Sequence, residues 1–126
     1  MHSTQDIIEK IVTVAVAALE DIKGKDISVI DTAEQTPLFA RLIIATGDST
    51  RQVKALARNV AEEWKDADIE ILSSEGFDSG EWVLVDAGDV VVHVMLPAVR
   101  DYYDIETLWG GEKPSSLPGG NKPWAH

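Results

Sequence analysis

The stretch WVLVDAGDVVVHVM, from Trp82 to Met95, sets the fold around it. Two valine-rich apolar runs flank a short polar connection that contains Ala87-Gly88. A tight connection with glycine between two β-rich runs is typical of a β-hairpin. The sequence therefore predicts a strand at Trp82–Asp86 and a second strand at Val90–Leu96, which Pro97 ends because proline cannot donate to a sheet ladder.

The other helices and strands follow from apolar periodicity. A helix is predicted from about Gln5 to Lys23, with Thr4 as its N-cap and Gly24 as its C-terminal stop. The remaining predicted elements are strands at Asp26–Asp31, Leu42–Thr46 and Ile69–Leu72, and helices at about Arg51–Asp66 and Ala98–Leu108. The order α-β-β-α-β-β-β-α predicts a single domain of the α/β class (mixed α+β), with helices packed on a mixed five-stranded sheet.

The composition changes after Trp109. The run GGEKPSSLPGGNKPWAH is rich in Gly, Pro and Ser and has no periodic apolar pattern. We therefore expect a domain over residues 1–109 and a flexible tail over residues 110–126.

Charge and cysteine content restrict the classes of partner. The chain has 126 residues, no cysteine and a net charge of −11. Nucleic-acid binders usually carry a basic patch, so direct binding of DNA is disfavoured and little or no contact with RNA is expected. A basic protein partner suits an acidic chain better. The N-terminus does not resemble a signal peptide, and the apolar run at 11–19 is too short to span a bilayer, so we expect a soluble cytoplasmic protein.

His93 is the first candidate for chemistry. On a strand it would share one face with Val91 and Met95, because side chains alternate. A catalytic histidine needs a nucleophile or an orienting carboxylate nearby, and the sequence provides no local cluster with metal-ligand spacing. A histidine packed on the sheet is favoured over a catalytic one, and no metal or cofactor is expected.

A second candidate is an acid pair. Asp68-Ile69-Glu70 would put two carboxylates on one face of a strand, as two-metal phosphoryl-transfer enzymes require. The TGDST turn at 46–50 precedes a helix whose N-terminus could hold phosphate. Together they faintly resemble a nucleotidyltransferase signature, although the gap between them is long and Asp48 would repel phosphate. An enzyme of nucleotidyl transfer that uses Asp68 and Glu70 therefore stays open as an alternative, and a solvated strand start is the favoured interpretation.

Two segments favour a binding surface. Asp86 and Asp89 flank the hairpin turn beside Trp82, where they would serve both turn geometry and an acidic rim. In RDYYDIETLW, at 100–109, a continuous helix would place Tyr102, Ile105 and Trp109 near one face and Tyr103 with Glu106 near another. One set should be core and the other should expose aromatic and acidic side chains. Tyr and Trp often carry the binding energy of interfaces.

These motifs together resemble the ribosomal silencing factor (Iojap-like) family. The resemblance runs from about Asp21 to Trp109, through DIKGKDISVID, LIIATGDSTRQV, WVLVDAGDVVVHVM and RDYYDIETLW. The family usually has Thr-Asp and an aromatic residue before the IATG strand, whereas this chain has Thr36-Pro37-Leu38-Phe39-Ala40.

The resemblance implies a regulator and not an enzyme. Members bind the large ribosomal subunit through its ribosomal protein number fourteen, block joining of the small subunit, repress translation and are often homodimers. Their fold is nucleotidyltransferase-like without the catalytic acids, and a shared scaffold need not share chemistry. The expected partner-binding residues are Trp82, Asp86, Asp89, His93, Tyr102, Tyr103, Glu106 and Trp109.

Overall fold

The computed structural model describes residues 3–110. The tail predicted at 110–126 lies outside this range except for Gly110. The elements are α1 (Thr4–Asp21), β1 (Lys25–Asp31), β2 (Arg41–Thr46), α2 (Thr50–Asp66), β3 (Ser73–Glu75), β4 (Trp82–Asp86), β5 (Val90–Met95), α3 (Pro97–Tyr103) and α4 (Ile105–Leu108).

The five strands form one mixed sheet in the order β1-β2-β5-β4-β3. The pairs β1–β2, β4–β5 and β3–β4 are antiparallel, and β2–β5 is parallel. The hairpin is confirmed: Trp82 is in register with Met95 and Asp86 with Val91. The predicted class, a mixed five-stranded sheet with helices packed on it, is also confirmed.

The larger core lies between one face of the sheet and the helices α1 and α2. Ile43 and Ala45 of β2, Val83 and Val85 of β4, and the even-numbered valines of β5 point toward those helices. Trp64 of α2 is fully buried among them, and its indole N–H donates to the carbonyl oxygen of Ile11 at 3.0 Å. The predicted apolar stripes of both helices therefore form this core.

Both helices start with a serine cap. The side-chain oxygen of Ser3 accepts from the backbone N–H of Asp6, and Ser49 does the same for Gln52. Thr4 as the first N-cap was thus wrong by one residue. Gly24 does not supply the positive φ at the end of α1, because Lys23 does so at φ 62°. A Cβ on Gly24 would lie 3.0 Å from the carbonyl oxygen of Leu19, so close packing is what that position requires.

The opposite face of the sheet carries a smaller cluster. Ile30, Leu42, Ile44, Val91 and Met95 are its buried members. The α3–α4 segment packs on this cluster through Val99, Ile105 and Trp109, together with Phe39 from the loop after β1. All three residues of β3 are exposed and the β4 residues on this face are half-buried, so the β4–β3 side is less covered.

Two predicted elements are wrong. The strand predicted at Ile69–Leu72 is irregular backbone, and pairing with β4 begins only at Ser73. Ile69 and Ile71 pack against the larger core but form no strand ladder. Core packing, and not a strand, therefore explains why these two residues are apolar. The predicted helix Ala98–Leu108 is broken at Asp104, which has the left-handed conformation at φ 46° and ψ 52°.

Candidate functional site

The sheet face opposite α1 and α2 stays partly open beside β4. Trp82, Leu84 and Asp86 alternate on β4 and point to the same side as His93 of β5. All four are half-buried. A concavity of about 330 Å³ lies here, lined by Glu75, Gly76, Trp82, Leu84 and His93. We call this region the open sheet face, defined by Glu75, Trp82, Leu84, Asp86, His93 and Tyr103.

Gly76 fixes the edge of this concavity. Its φ is +94°, which L side chains rarely adopt. A Cβ at this position would lie 2.0 Å from the carbonyl oxygen of Trp82. The chain leaving β3 can therefore approach β4 this closely only with glycine at position 76.

His93 is held by Trp82. The indole Nε1–H donates to His93 Nδ1 at 2.9 Å, so this nitrogen carries a lone pair. Burial lowers the pKa of His93 to about 4, and Asp86 offsets that effect in part. The ring is therefore neutral at pH 7, with its proton on Nε2. A general base is most effective when its pKa is near the working pH, so this environment fits a structural or interface histidine.

A row of aromatic rings extends from His93 to the α3 helix. The Trp82 ring lies 5.8 Å from the ring of His93 and 5.0 Å from that of Tyr103. Tyr102 lies 4.9 Å from Tyr103 in an edge-to-face arrangement. Tyr103 is 55% exposed and Tyr102 is 75% exposed. These two tyrosines therefore present large amphipathic rings to solvent, next to a tryptophan that anchors them to the sheet.

The acids of the hairpin take two different positions. A carboxylate oxygen of Asp86 accepts from the backbone N–H of Gly88 at 2.7 Å, which is the turn chemistry expected of that residue. Asp89 is exposed, and its carbonyl oxygen accepts from the N–H groups of Ala40 and Arg41. Asp89 therefore offers a solvated carboxylate at the end of the hairpin, while Asp86 lies on the open sheet face.

Glu106 does not lie on the surface, and that expectation was wrong. Its side chain is fully buried and forms an ion pair with Arg100, which is itself almost completely buried. The break at Asp104 turns the chain so that Glu106 faces inward, where a continuous helix would have pointed it with Tyr103. Glu106 is therefore not part of the candidate surface.

Arg100 was missed by sequence reasoning, although it organises this region. Its guanidinium also donates to the carbonyl oxygen of Asp26 at 2.7 Å, to Thr46 Oγ1 at 2.8 Å and to Ser28 Oγ at 3.2 Å. It thereby connects α3 to both β1 and β2. The only signal in the sequence was that Arg100 follows an apolar strand and precedes an acid, Glu106, by six residues. An ion pair on the surface would give the same pattern.

Trp109 serves mainly to anchor α4. Its ring packs edge-to-face on Phe39 with centroids 5.0 Å apart, and its carbonyl oxygen accepts from the side chain of Gln35 at 2.7 Å. Phe39 belongs to the stretch in which this chain departs from the family pattern. The tryptophan is half-buried and lies at the edge of the smaller cluster.

The two halves of the nucleotidyltransferase signature do not come together. Asp48 lies just before α2 and Asp68 just after it, so a helix of 17 residues separates them, which is roughly 25 Å at 1.5 Å per residue. Asp48 is also paired with Lys25, whose Nζ lies 2.6 Å from its carboxylate; this hydrogen bond raises the pKa of Lys25. Asp68 and Glu70 are exposed on irregular backbone.

Neither a metal cluster nor a membrane span is found in the part of the chain that the structure describes. Within residues 3–110, no three His, Asp or Glu side chains are grouped so that they could hold a metal ion. None of the helices in that range is long and apolar enough to cross a bilayer.

Comparison with known proteins places the chain in a family. The family model for "Ribosomal silencing factor during starvation" matches residues 4–123. Ribosomal silencing factor RsfS of Chromobacterium violaceum is 66% identical over 118 residues, which cover 94% of this chain and 97% of that protein. RsfS of Bacillus subtilis is 38% identical, with 89% and 95% covered.

A solved structure agrees with these relatives. A crystal structure of a protein from Chromobacterium violaceum superposes with a TM-score of 0.85 at 66% identity, and the match covers 94% of this chain and 98% of that one. Sequence and fold therefore point to the same relatives. The chain belongs to the ribosomal silencing factor family.

Proposed function

We propose that this chain binds the large ribosomal subunit by docking its open sheet face on ribosomal protein number fourteen, and that it thereby blocks joining of the small subunit and represses translation. The family is one of regulatory proteins that act on the ribosome. The observation that carries the choice of surface is the row of rings formed by His93, Trp82, Tyr103 and Tyr102.

Aromatic exposure supports this surface. Interfaces are enriched in Tyr and Trp, because these side chains bury large areas at a low cost in conformational entropy. Here Trp82 is fixed by its hydrogen bond to His93, and Tyr103 packs on Trp82. The two rings are therefore already ordered before a partner arrives, which lowers the entropy cost of binding.

Charge supports a basic partner. Glu75 and Asp86 lie on the open sheet face and Asp89 lies at the end of its hairpin. With a net charge of −11, the chain is repelled by the phosphates of RNA and attracted to a basic protein. A basic ribosomal protein would attract this acidic chain at the contact, and the RNA around that protein would repel the chain from incorrect positions.

The proposal includes no catalysis. The acids and the phosphate-binding turn of the nucleotidyltransferase alternative lie at opposite ends of α2. We also propose that the folded unit ends near residue 109, that the protein acts in the cytoplasm, and that it can form a homodimer.

The direct test is binding of purified large subunits and of the isolated ribosomal protein. Parent protein should co-sediment with the large subunit, and Tyr103→Ala should lose most of this binding. Leu108→Ala is a matched control, because Leu108 is exposed in the same α3–α4 segment but outside the ring row. Equal binding by the two variants would reject the open sheet face as the docking surface, and no binding by the parent would reject the function.

A further inference from the structure

A second concave surface lies on the helix-covered side of the sheet, where α1 packs beside α2. Two hydrogen bonds show that these helices run antiparallel. The side chain of Asn59 donates to the carbonyl oxygen of Ala18 at 2.8 Å, and the side chain of Trp64, further along α2, donates to the carbonyl oxygen of Ile11, earlier in α1, at 3.0 Å. Two concavities of about 430 and 390 Å³ lie along α1, near its start and its end: the first is bordered on its other side by residues 67–70 after α2 and by Ala87, and the second by Glu63 of α2. We call them together the α1–α2 groove.

The floor of the groove is apolar. Ile7 and Ile11 line the first concavity, and Val14 and Ala18 line the second. Their spacing of four, three and four residues places them on one stripe of α1, so the two concavities are consecutive parts of one surface. Ile7 is 49% exposed although it is a large aliphatic side chain.

The rim of the groove is acidic. Asp6, Asp68 and Glu70 line the first concavity, and Asp21 and Glu63 line the second. Among the lining residues of the two concavities only Lys10 is a cation. The groove therefore combines an apolar stripe with carboxylates on both sides along its length.

We propose that the α1–α2 groove binds a basic amphipathic helix of a partner protein. Apolar side chains of that helix would enter the two concavities, and its Lys and Arg side chains would meet the rim acids. From Ile7 to Asp21 the groove follows α1 for about 21 Å, which is about four helical turns. Its length therefore matches about four turns of one partner helix.

The rim argues against other occupants. A second copy of this chain would bring another net charge of −11 and the same acidic rim, and like charges at close range are repulsive. Nucleic acid would place phosphates against five carboxylates. A helix with Lys or Arg beside its apolar stripe is the occupant that satisfies both the floor and the rim.

The test uses a synthetic amphipathic helix of leucine and lysine, titrated into the isotope-labelled full chain and followed by amide chemical shifts. Shifts should change along α1 from Ile7 to Ala18 and around Glu63 and Ala67. Ile7→Gln should weaken binding by about fivefold or more, because the contact of an aliphatic side chain is lost. Leu38→Gln is the matched control, since Leu38 is 78% exposed in the loop after β1 and lies outside the groove.

A second pair of variants tests whether the helix binds to the acids of the rim or to the negative charge of the whole surface. Glu70→Gln should weaken binding more than Glu34→Gln, an exposed acid outside the groove. The proposal is overturned if the shifts concentrate on the open sheet face or spread over the whole acidic surface, or if a leucine–glutamate helix binds equally well. It is also overturned if Ile7→Gln abolishes self-association, or if single-stranded RNA shifts the same amides. Binding to the ribosomal protein should be unchanged in Ile7→Gln, which separates this proposal from the function proposed above.

Discussion

The ring of Tyr103 is exposed to solvent and is also held in place by a neighbouring ring. Its ring is more than half exposed and packs against Trp82 at 5.0 Å. Trp82 is less suited to a clean test, because its hydrogen bond to His93 also contributes to the fold. A loss of affinity in Trp82→Ala would therefore combine the lost contact with the partner and the lost stability of the fold.

We predict that Tyr103→Ala lowers affinity for the ribosomal protein by at least about 2 kcal/mol, or about thirtyfold. Its free energy of unfolding should change by less than about 1 kcal/mol, because the removed ring is mostly solvated. Titration calorimetry and urea unfolding of the same preparation measure the two quantities. Affinity equal to that of the parent would exclude Tyr103 from the contact.

His93 makes stability depend on pH. Its ordinary pKa is 6.5, and burial lowers it to about 4 in the folded protein. Between these values the unfolded chain binds a proton that the folded chain does not, so stability falls as pH falls through this window. Above pH 6.5 the ring is neutral in both states and the effect is absent.

We predict that lowering the pH from 7 to 5 costs the parent about 2 kcal/mol more than it costs His93→Gln. Glutamine can still accept the hydrogen bond from Trp82 but cannot titrate. Urea unfolding at several pH values in this range measures the difference, and other titrating groups cancel between the two proteins. Identical pH slopes would show that His93 is not buried as described.

The α3–α4 segment is one of the two elements that the sequence did not predict correctly. RDYYDIETLW contains no Gly or Pro, so nothing in its pattern indicates a break at Asp104. The break lets Glu106 turn inward to Arg100, and this is a tertiary contact. Periodicity alone therefore grouped Glu106 with Tyr103 on one helix face, and the position of Arg100 could not be inferred.

The hairpin shows the opposite case. The β-rich run Val90–Leu96 and the glycine in the turn are local signals, and the observed strand pair and the two faces of β5 agree with them. The same signals put His93 on one face with Val91 and Met95 before any tertiary contact was known. What they could not show is which part of that face α3 and α4 leave open.

We predict strong coupling between Arg100 and Glu106. Arg100→Met should cost about 3–5 kcal/mol, because it leaves a buried carboxylate without a cation. The double variant Arg100→Met, Glu106→Leu should cost clearly less than the sum of the two single variants. Urea unfolding of the four proteins gives the coupling energy, and strictly additive costs would show that the pair does not act as a unit.

The net charge of the protein acts on the rate of encounter. Carboxylates at the rim of an interface mainly steer association, whereas buried aromatic contacts slow dissociation. We predict that Asp89→Asn slows association with the ribosomal protein and makes the rate less dependent on salt, with little change in dissociation. Glu62→Gln, on the outer surface of α2, is the matched control. A change confined to the dissociation rate would place Asp89 inside the contact.

The proposed function is that this protein keeps ribosomal subunits apart through its open sheet face. Its most direct test adds purified protein to separated subunits under conditions that allow joining, and measures free subunits and joined ribosomes on a sucrose gradient. Parent protein and Leu108→Ala should raise the fraction of free subunits, and Tyr103→Ala should leave joining close to that of untreated subunits. Unchanged joining with the parent, or equal inhibition by Tyr103→Ala, would contradict the claim.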